Sequence, residues 1–178
     1  MFRGKGKSKS SQHSESGRES GKLGGSSPEI ILDGLNQETN FEVFFLGAVQ
    51  DINMVTSRKR DKEAQLVDQV EEAQIDGKLP LTPRDEDKVN ITISRHGLKV
   101  LDSTKKEVLQ RHPLHIIAQV VHYEDGFGKP NVAFKIGQLQ HSKDTCIYQC
   151  YVFQCPNEDQ AQAVCQSLRN IFNAITVQ

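Results

Sequence analysis

The chain has 178 residues, 25% charged and 36% hydrophobic, with a net charge of −1; that length holds one domain of about 140 residues and a tail, enough for a sizeable core. The first 22 residues carry six Lys or Arg against two Glu, leaving the remainder near −5, and a mildly acidic domain lacks the clustered cations of a nucleic-acid site. No apolar run approaches the roughly 18 to 20 residues of a membrane span and the N-terminus lacks a signal-peptide core, so the expectation is a soluble intracellular protein.

Residues 1 to 27 hold eight Ser, six Gly and no apolar cluster, too little burial to offset ordering entropy. We expect a disordered tail over 1–38 and a folded domain over 39–178. Arg3, Lys5, Lys7 and Lys9 alternate with Gly and Ser, a pattern that fits a nuclear-import tag, a kinase-docking tail, a tether to anionic membranes, or a solvated tail with no reader. The string GKS at Gly6 to Ser8 is no phosphate loop, because the leading Gly and a preceding strand are both missing.

From Phe41 to Val49 the chain reads FEVFFLGAV, apolar on both faces as a central buried strand should be. A charged loop, Ser57 to Lys62, precedes a helix over Lys62 to Ile75 with Ala64, Val67, Val70 and Ala73 or Gln74 at helical spacing, stopped by Gly77 and Pro80. VNITIS, Val89 to Ser94, alternates strictly and predicts a strand with one wet face. Arg95, His96 and Gly97 make the turn into a return strand at Leu98 to Leu101, and Glu107 to Gln110 offers another short one.

Arg111 to Tyr123, RHPLHIIAQVVHY, is the most informative stretch, an apolar strand with no Lys, Arg, Asp or Glu after Arg111. Pro113 lacks an amide proton and belongs at a strand's start or on an edge, which places Leu114 to Tyr123 at a sheet edge. Such an edge is a template on which another chain can add a strand. The competing reading is an interior strand bonded on both sides.

EDGFGK at Glu124 to Lys129 is a Gly-rich turn, followed by strands near Val132 to Ile136 and Thr145 to Phe153. Asn157 caps a final helix, with Gln160 at the capping-box position and Ala161, Val164, Cys165, Leu168, Ile171, Phe172 and Ile175 on one face. Leu168 and Ile175 read first as core. The fold class expected is α+β, mainly β: a seven-stranded antiparallel bent sandwich or partly open barrel, capped by the C-terminal helix, with a helix between strands 1 and 2. The helix can lie along the edge strand without covering it, leaving a groove with Ile171 and Phe172 on one wall.

Cys146, Cys150, Cys155 and Cys165 are expected to be free thiols, and without a C-x-x-C pair no zinc site is expected. His112, His115 and His122 form no HExxH, and no nucleophile elbow or acid pair is evident, so neither an enzyme, a metal nor a cofactor is expected.

FFLGAV, VNITIS with HGLKVLD, and RHPLHIIAQVVHYEDG resemble in order and spacing the first, second, third and fifth strands of phosphotyrosine-binding (PTB) domains of the pleckstrin-homology superfold. The resemblance covers about residues 39 to 177. IDGKLP, YEDGFG and QAQAVC narrow it to the integrin-associated adaptors of that family. It implies a non-catalytic adaptor that binds NPxY motifs of integrin beta cytoplasmic tails, competes with talin or kindlin and restrains integrin activation and cell adhesion. A second implied partner is a Krev-interaction-trapped-type scaffold, with no nucleic acid and membrane only through the integrin. The implied location is the cytoplasm at adhesion sites, with a share in the nucleus.

Carried over by position, peptide contacts fall on Leu114, Ile117, Ala118, Tyr123 and Phe172, and the candidate set extends to Ile116, Val121, Leu168 and Ile171 on the same elements. A basic partner segment would dock near Glu71 and Asp76, which otherwise read as a solvated face. With Arg111 the one fixed cation at the strand, phosphotyrosine is not expected to be required. The competing class is a pleckstrin-like phosphoinositide or membrane module using Arg58, Lys59, Arg60 and Lys62.

Overall fold

The computed structural model of the chain describes residues 36–54, 60–139 and 146–176. Seven antiparallel strands form a single sheet: β1 (Thr39–Val49), β2 (Lys88–Ser94), β3 (Gly97–Asp102), β4 (Val108–Pro113), β5 (Ile117–Glu124), β6 (Pro130–Leu139) and β7 (Cys146–Gln154). Their order is β4-β3-β2-β1-β7-β6-β5, so the sheet does not close into a barrel. Helix α1 (Lys62–Ile75) lies between β1 and β2, and α2 (Glu158–Thr176) ends the described fold.

β1 is central, as its two apolar faces require, pairing with β2 through its first half and with β7 through its second. The changeover falls at Phe44 and a register shift follows it between Phe45 and Gly47, where Gly47 has φ +132° with Leu79 Cδ2 only 2.7 Å from where a Cβ would stand. Only glycine meets both conditions without strain.

The larger core cluster joins Val43, Ile91, Ile93, Leu98 and Val100 to Val132, Phe134 and Phe153 under the apolar stripe of α2. Ala161, Val164 and Leu168 are fully buried, and Leu168 alone represents roughly 1.5–3 kcal/mol of side-chain burial. The smaller cluster, on the opposite face, packs Leu66, Val70 and Ala73 of α1 against Leu46, Val121 and Val152.

Several local expectations need correction. The supposedly wet face of β2 is closed: Asn90, Thr92 and Ser94 are all buried. Asn90 Nδ2 donates to the carbonyls of Asp102 and Ser103, each at 3.2 Å, and Thr92 Oγ1 donates to Asn40 Oδ1 at 2.6 Å. Period-2 polarity therefore marks side chains satisfied by neighbouring strands here, not water. In α1 the inward face is Leu66, Val70, Ala73 and Gln74, while Ala64 and Val67 are only half-buried. Asp61 caps this helix by accepting from the Ala64 amide at 2.7 Å.

Asn157 does cap α2, with its Oδ1 accepting from the Gln160 amide at 2.9 Å. The Gln160 side chain does not complete a capping box. Its Nε2 instead donates to the Glu42 carbonyl of β1 at 2.8 Å, tying the helix start to the central strand. Ile175, read first as core, is 43% exposed.

The predicted edge strand begins later than expected. Pro113 ends β4, Leu114–Ile116 form a single 3-10 turn, and only then does β5 start. Gly97 opens β3 against this corner with φ +113°, and a Cβ there would lie 2.1 Å from the His112 carbonyl oxygen. Beside it the buried His112 ring packs on Tyr151 of β7 with centroids 4.5 Å apart, and its Nε2 lies 3.1 Å from Gln110 Oε1.

Three of the four thiols are enclosed. Burial pushes Cys150 and Cys155 up to about 12 and Cys165 up to about 11, while Cys146 is exposed.

Two outcomes are expected from the corner. Gly97→Ala should lose at least about 2 kcal/mol, read as a lower urea midpoint, because both the positive φ and the close carbonyl oppose a Cβ. Burial holds the His112 imidazole below its ordinary value of 6.5. Between that lowered value and 6.5 the unfolded chain holds more protons, so stability should decline as pH falls below about 6.5. In urea titrations at stepped pH, His112→Gln should flatten that decline.

Candidate peptide-binding edge

β5 pairs with β6 alone; the Ile117 amide donates to the Leu114 carbonyl of the preceding turn, and beyond it no strand pairs with the outer side of β5 among the described residues. The pairing slips between Ile117, opposite Ile136, and Gln119, opposite Lys135. Ala118 is the extra residue of that bulge and is exposed. A bulge at an edge re-aims side chains and interrupts the ladder, and here the re-aimed residue presents only a small methyl.

The candidate side chains divide between the two faces of the sheet. Ile117 is buried in the larger cluster, and Leu114, Ile116 and Phe172 pack on that cluster half-buried. Ile171 is 7% exposed and Leu168 wholly enclosed in the same cluster. Val121 and Tyr123, by contrast, belong to the smaller cluster beneath α1. The strand's alternation thus sends them to the face away from α2.

The half-buried apolar candidates on the α2 side are therefore Leu114 and Ile116, in the turn that leads into β5, and Phe172 on α2, all packed on the larger cluster. The Tyr123 hydroxyl is buried without a hydrogen-bond partner among the described residues, and burial pushes its pKa up, with Cys150, Asp125 and Glu71 adding to the effect.

Beyond the bulge, β5 meets the first turn of α2 in a His–carboxylate contact that the sequence pattern did not disclose. His122 Nδ1 lies 3.2 Å from Glu158 Oε1. The 36-residue gap between them carries no periodic signal, and only the docking of α2 across β5 brings them together. The turn that ends β5 is held by Asp125, whose Oδ1 accepts from the amides of Phe127 and Lys129 at 2.9 Å each.

Glu71 is half-buried on α1, and Asp76 is the exposed C-cap of that helix, with its carboxylate 3.0 Å from Lys78 Nζ. These two acids lie on and beyond α1, away from the α2 side of β5. Arg111 sits inside β4 opposite Lys99, not at the head of β5. Arg60 is engaged by a bidentate pair with Asp68. Arg58, Lys59 and the tail cations Arg3, Lys5, Lys7 and Lys9 lie outside the described residues.

The family model described as beta-1 integrin binding protein matches residues 2–178 of this chain. Among curated proteins, integrin beta-1-binding protein 1 of Bos taurus is 31% identical over 137 residues, 76% of this chain. Its Mus musculus counterpart is 30% identical over 135 residues, again 76% of this chain. Each match spans 66% of the relative's own length.

Proposed function

The chain belongs to the beta-1 integrin binding protein family, and from that premise we propose that it is a non-catalytic adaptor whose domain captures NPxY segments of integrin beta cytoplasmic tails by strand addition along β5. The observation that carries this reading is the edge position of β5, which no strand pairs on its outer side among the described residues, with half-buried Leu114 and Ile116 at its head and α2, which carries half-buried Phe172, packed against it. The curated relatives bear the name of a beta-1 integrin binder, which supports the choice of ligand.

A segment added there makes about five main-chain hydrogen bonds at roughly 0.5–1.5 kcal/mol each, before ordering costs are subtracted. Apolar contact with Leu114, Ile116 and Phe172 supplies the remainder, giving affinity of micromolar order. Specificity comes from side chains that fit beside Ala118, because main-chain bonds alone do not distinguish sequences.

By holding the tail, the adaptor excludes talin or kindlin from the same segment and restrains integrin activation at adhesion sites in the cytoplasm, with a share of the protein in the nucleus. A Krev-interaction-trapped-type scaffold is a second NPxY ligand, its basic segment docking near Glu71 and Asp76. For Asp76 that means displacing Lys78.

The decisive experiment titrates an integrin beta-1 tail peptide bearing NPxY into the full chain by calorimetry. Binding in the micromolar range is expected, and absence of binding at hundreds of micromolar would overturn the proposal. Phe172→Ala should weaken the peptide at least tenfold while lowering the thermal midpoint by only a few degrees, since Phe172 is only half-buried. The unphosphorylated peptide should bind at least as tightly as the phosphotyrosine form, and a tenfold preference for phosphate would contradict the proposed chemistry.

A further inference from the structure

The sheet has a second terminal strand. β4 pairs with β3 alone, and the outer backbone row of Val108–Pro113 has no partner among the described residues. Its pairing also slips, with Val100 opposite Gln110 and Leu101 opposite Val108, so that Leu109 is the extra residue. Leu109 is 50% exposed and Val108 38% exposed, an apolar pair in open view on an edge.

Cations outnumber acids around this edge, Lys99, Lys105, Lys106 and Arg111 against Asp102 and Glu107. Lys99 and Arg111 stand directly opposite each other, on the face away from the core, and like charges in that relation repel. Lys105 and Lys106 sit in the turn between β3 and β4, both exposed. None of these four cations forms an ion pair among the described residues. Of the two acids in this turn, Asp102 is spent on the turn itself: Oδ1 accepts from the amides of Lys106 and Glu107, and Oδ2 from the Thr104 amide and hydroxyl; Glu107 is exposed beside Val108 and offsets one of the four cations.

We propose that β4 is a second strand-addition edge, and that its occupant is an extended segment of another protein in which acidic residues alternate with apolar ones. Carboxylates on one side of such a strand meet Lys99 and Arg111 and relieve their repulsion. Apolar residues cover Val108 and Leu109, while the backbone extends the sheet. The same cations repel a second copy of this edge, and the bulge limits pairing with an indiscriminate strand, so charge selects the partner. A domain whose overall charge is negative makes an anionic bilayer the poorer match. This inference stands apart from the one about β5, on the opposite end of the sheet.

The test uses the isotope-labelled full chain and a capped nonapeptide alternating Glu and Val. Amides of Val108, Leu109, Gln110 and Arg111 should shift on titration, those of Ile117–Glu124 should not, and affinity should fall as salt is raised. The double substitution Lys99→Ser and Arg111→Ser should weaken the peptide at least tenfold, and Lys105→Ser with Lys106→Ser, in the exposed turn, supplies the same readout if the first variant loses its fold. A peptide with Lys in place of Glu should not bind. The proposal fails if the shifts fall on β5 alone, or if both double variants keep full affinity. It fails equally if phosphatidylserine vesicles retain the chain through Lys99 and Arg111 while the peptide does not bind, or if light scattering shows β4 occupied by a second copy. An integrin-tail titration run alongside reports on β5 separately, so one edge can fail while the other stands.

Discussion

The molecule depends on a break in its own sheet: β4 and β5 follow each other in the chain yet do not pair, whereas β1 with β2, β2 with β3, β3 with β4, β5 with β6, and β6 with β7 all do. The cause is local. Pro113 ends β4 without an amide proton to give, and Leu114–Ile116 wind into a 3-10 turn that leads the chain away instead of folding it back as a hairpin. Gly97 allows the start of β3 to lie against that corner at a distance no side chain would permit. An antiparallel sheet interrupted this way has two ends, and each end is a row of backbone groups.

Helix α2 makes the open form stable. Its inward residues fill the concavity that a closed barrel would fill with its own strands, and it packs on β5, β6, β2 and β1 together. The Gln160 bond to central β1 and the His122–Glu158 contact to terminal β5 fix the start of the helix on two separate strands. Stability and the accessible groove thus share residues: Ile171 and Leu168 belong to the interior, while Phe172, one step further round the helix, is half-buried.

Much of this was legible in the residues, for reasons that differ by element. The long apolar run at Phe41–Val49, the 3.6-residue period of α2 and the turn at Glu124–Lys129 are local signals, and each appears where its pattern puts it. Edge position followed from Pro113, although the proline closes β4 and does not open β5. A continuous apolar stretch such as Leu114–Val121 cannot disclose a three-residue helical turn within it, because turn and strand bury the same residue types. Nor could alternation in VNITIS reveal that Asn90 and Thr92 are covered, since their partners come from neighbouring strands. The division of Val121 and Tyr123 from Leu114 and Phe172 is a matter of face, and the Ala118 bulge that sets the register has no sequence signature of its own.

The distribution of sulfur has a practical consequence for chemistry on this protein. A thiol must ionise and meet its reagent to react, and Cys150, Cys155 and Cys165 are denied both by the interior that raises them to about 12, 12 and 11. Cys146 alone faces solvent. A folded molecule therefore offers maleimides and peroxide a single point of attachment, at the head of β7 and remote from neither rim by more than the width of the sheet, which makes the wild-type chain its own singly labelled reporter.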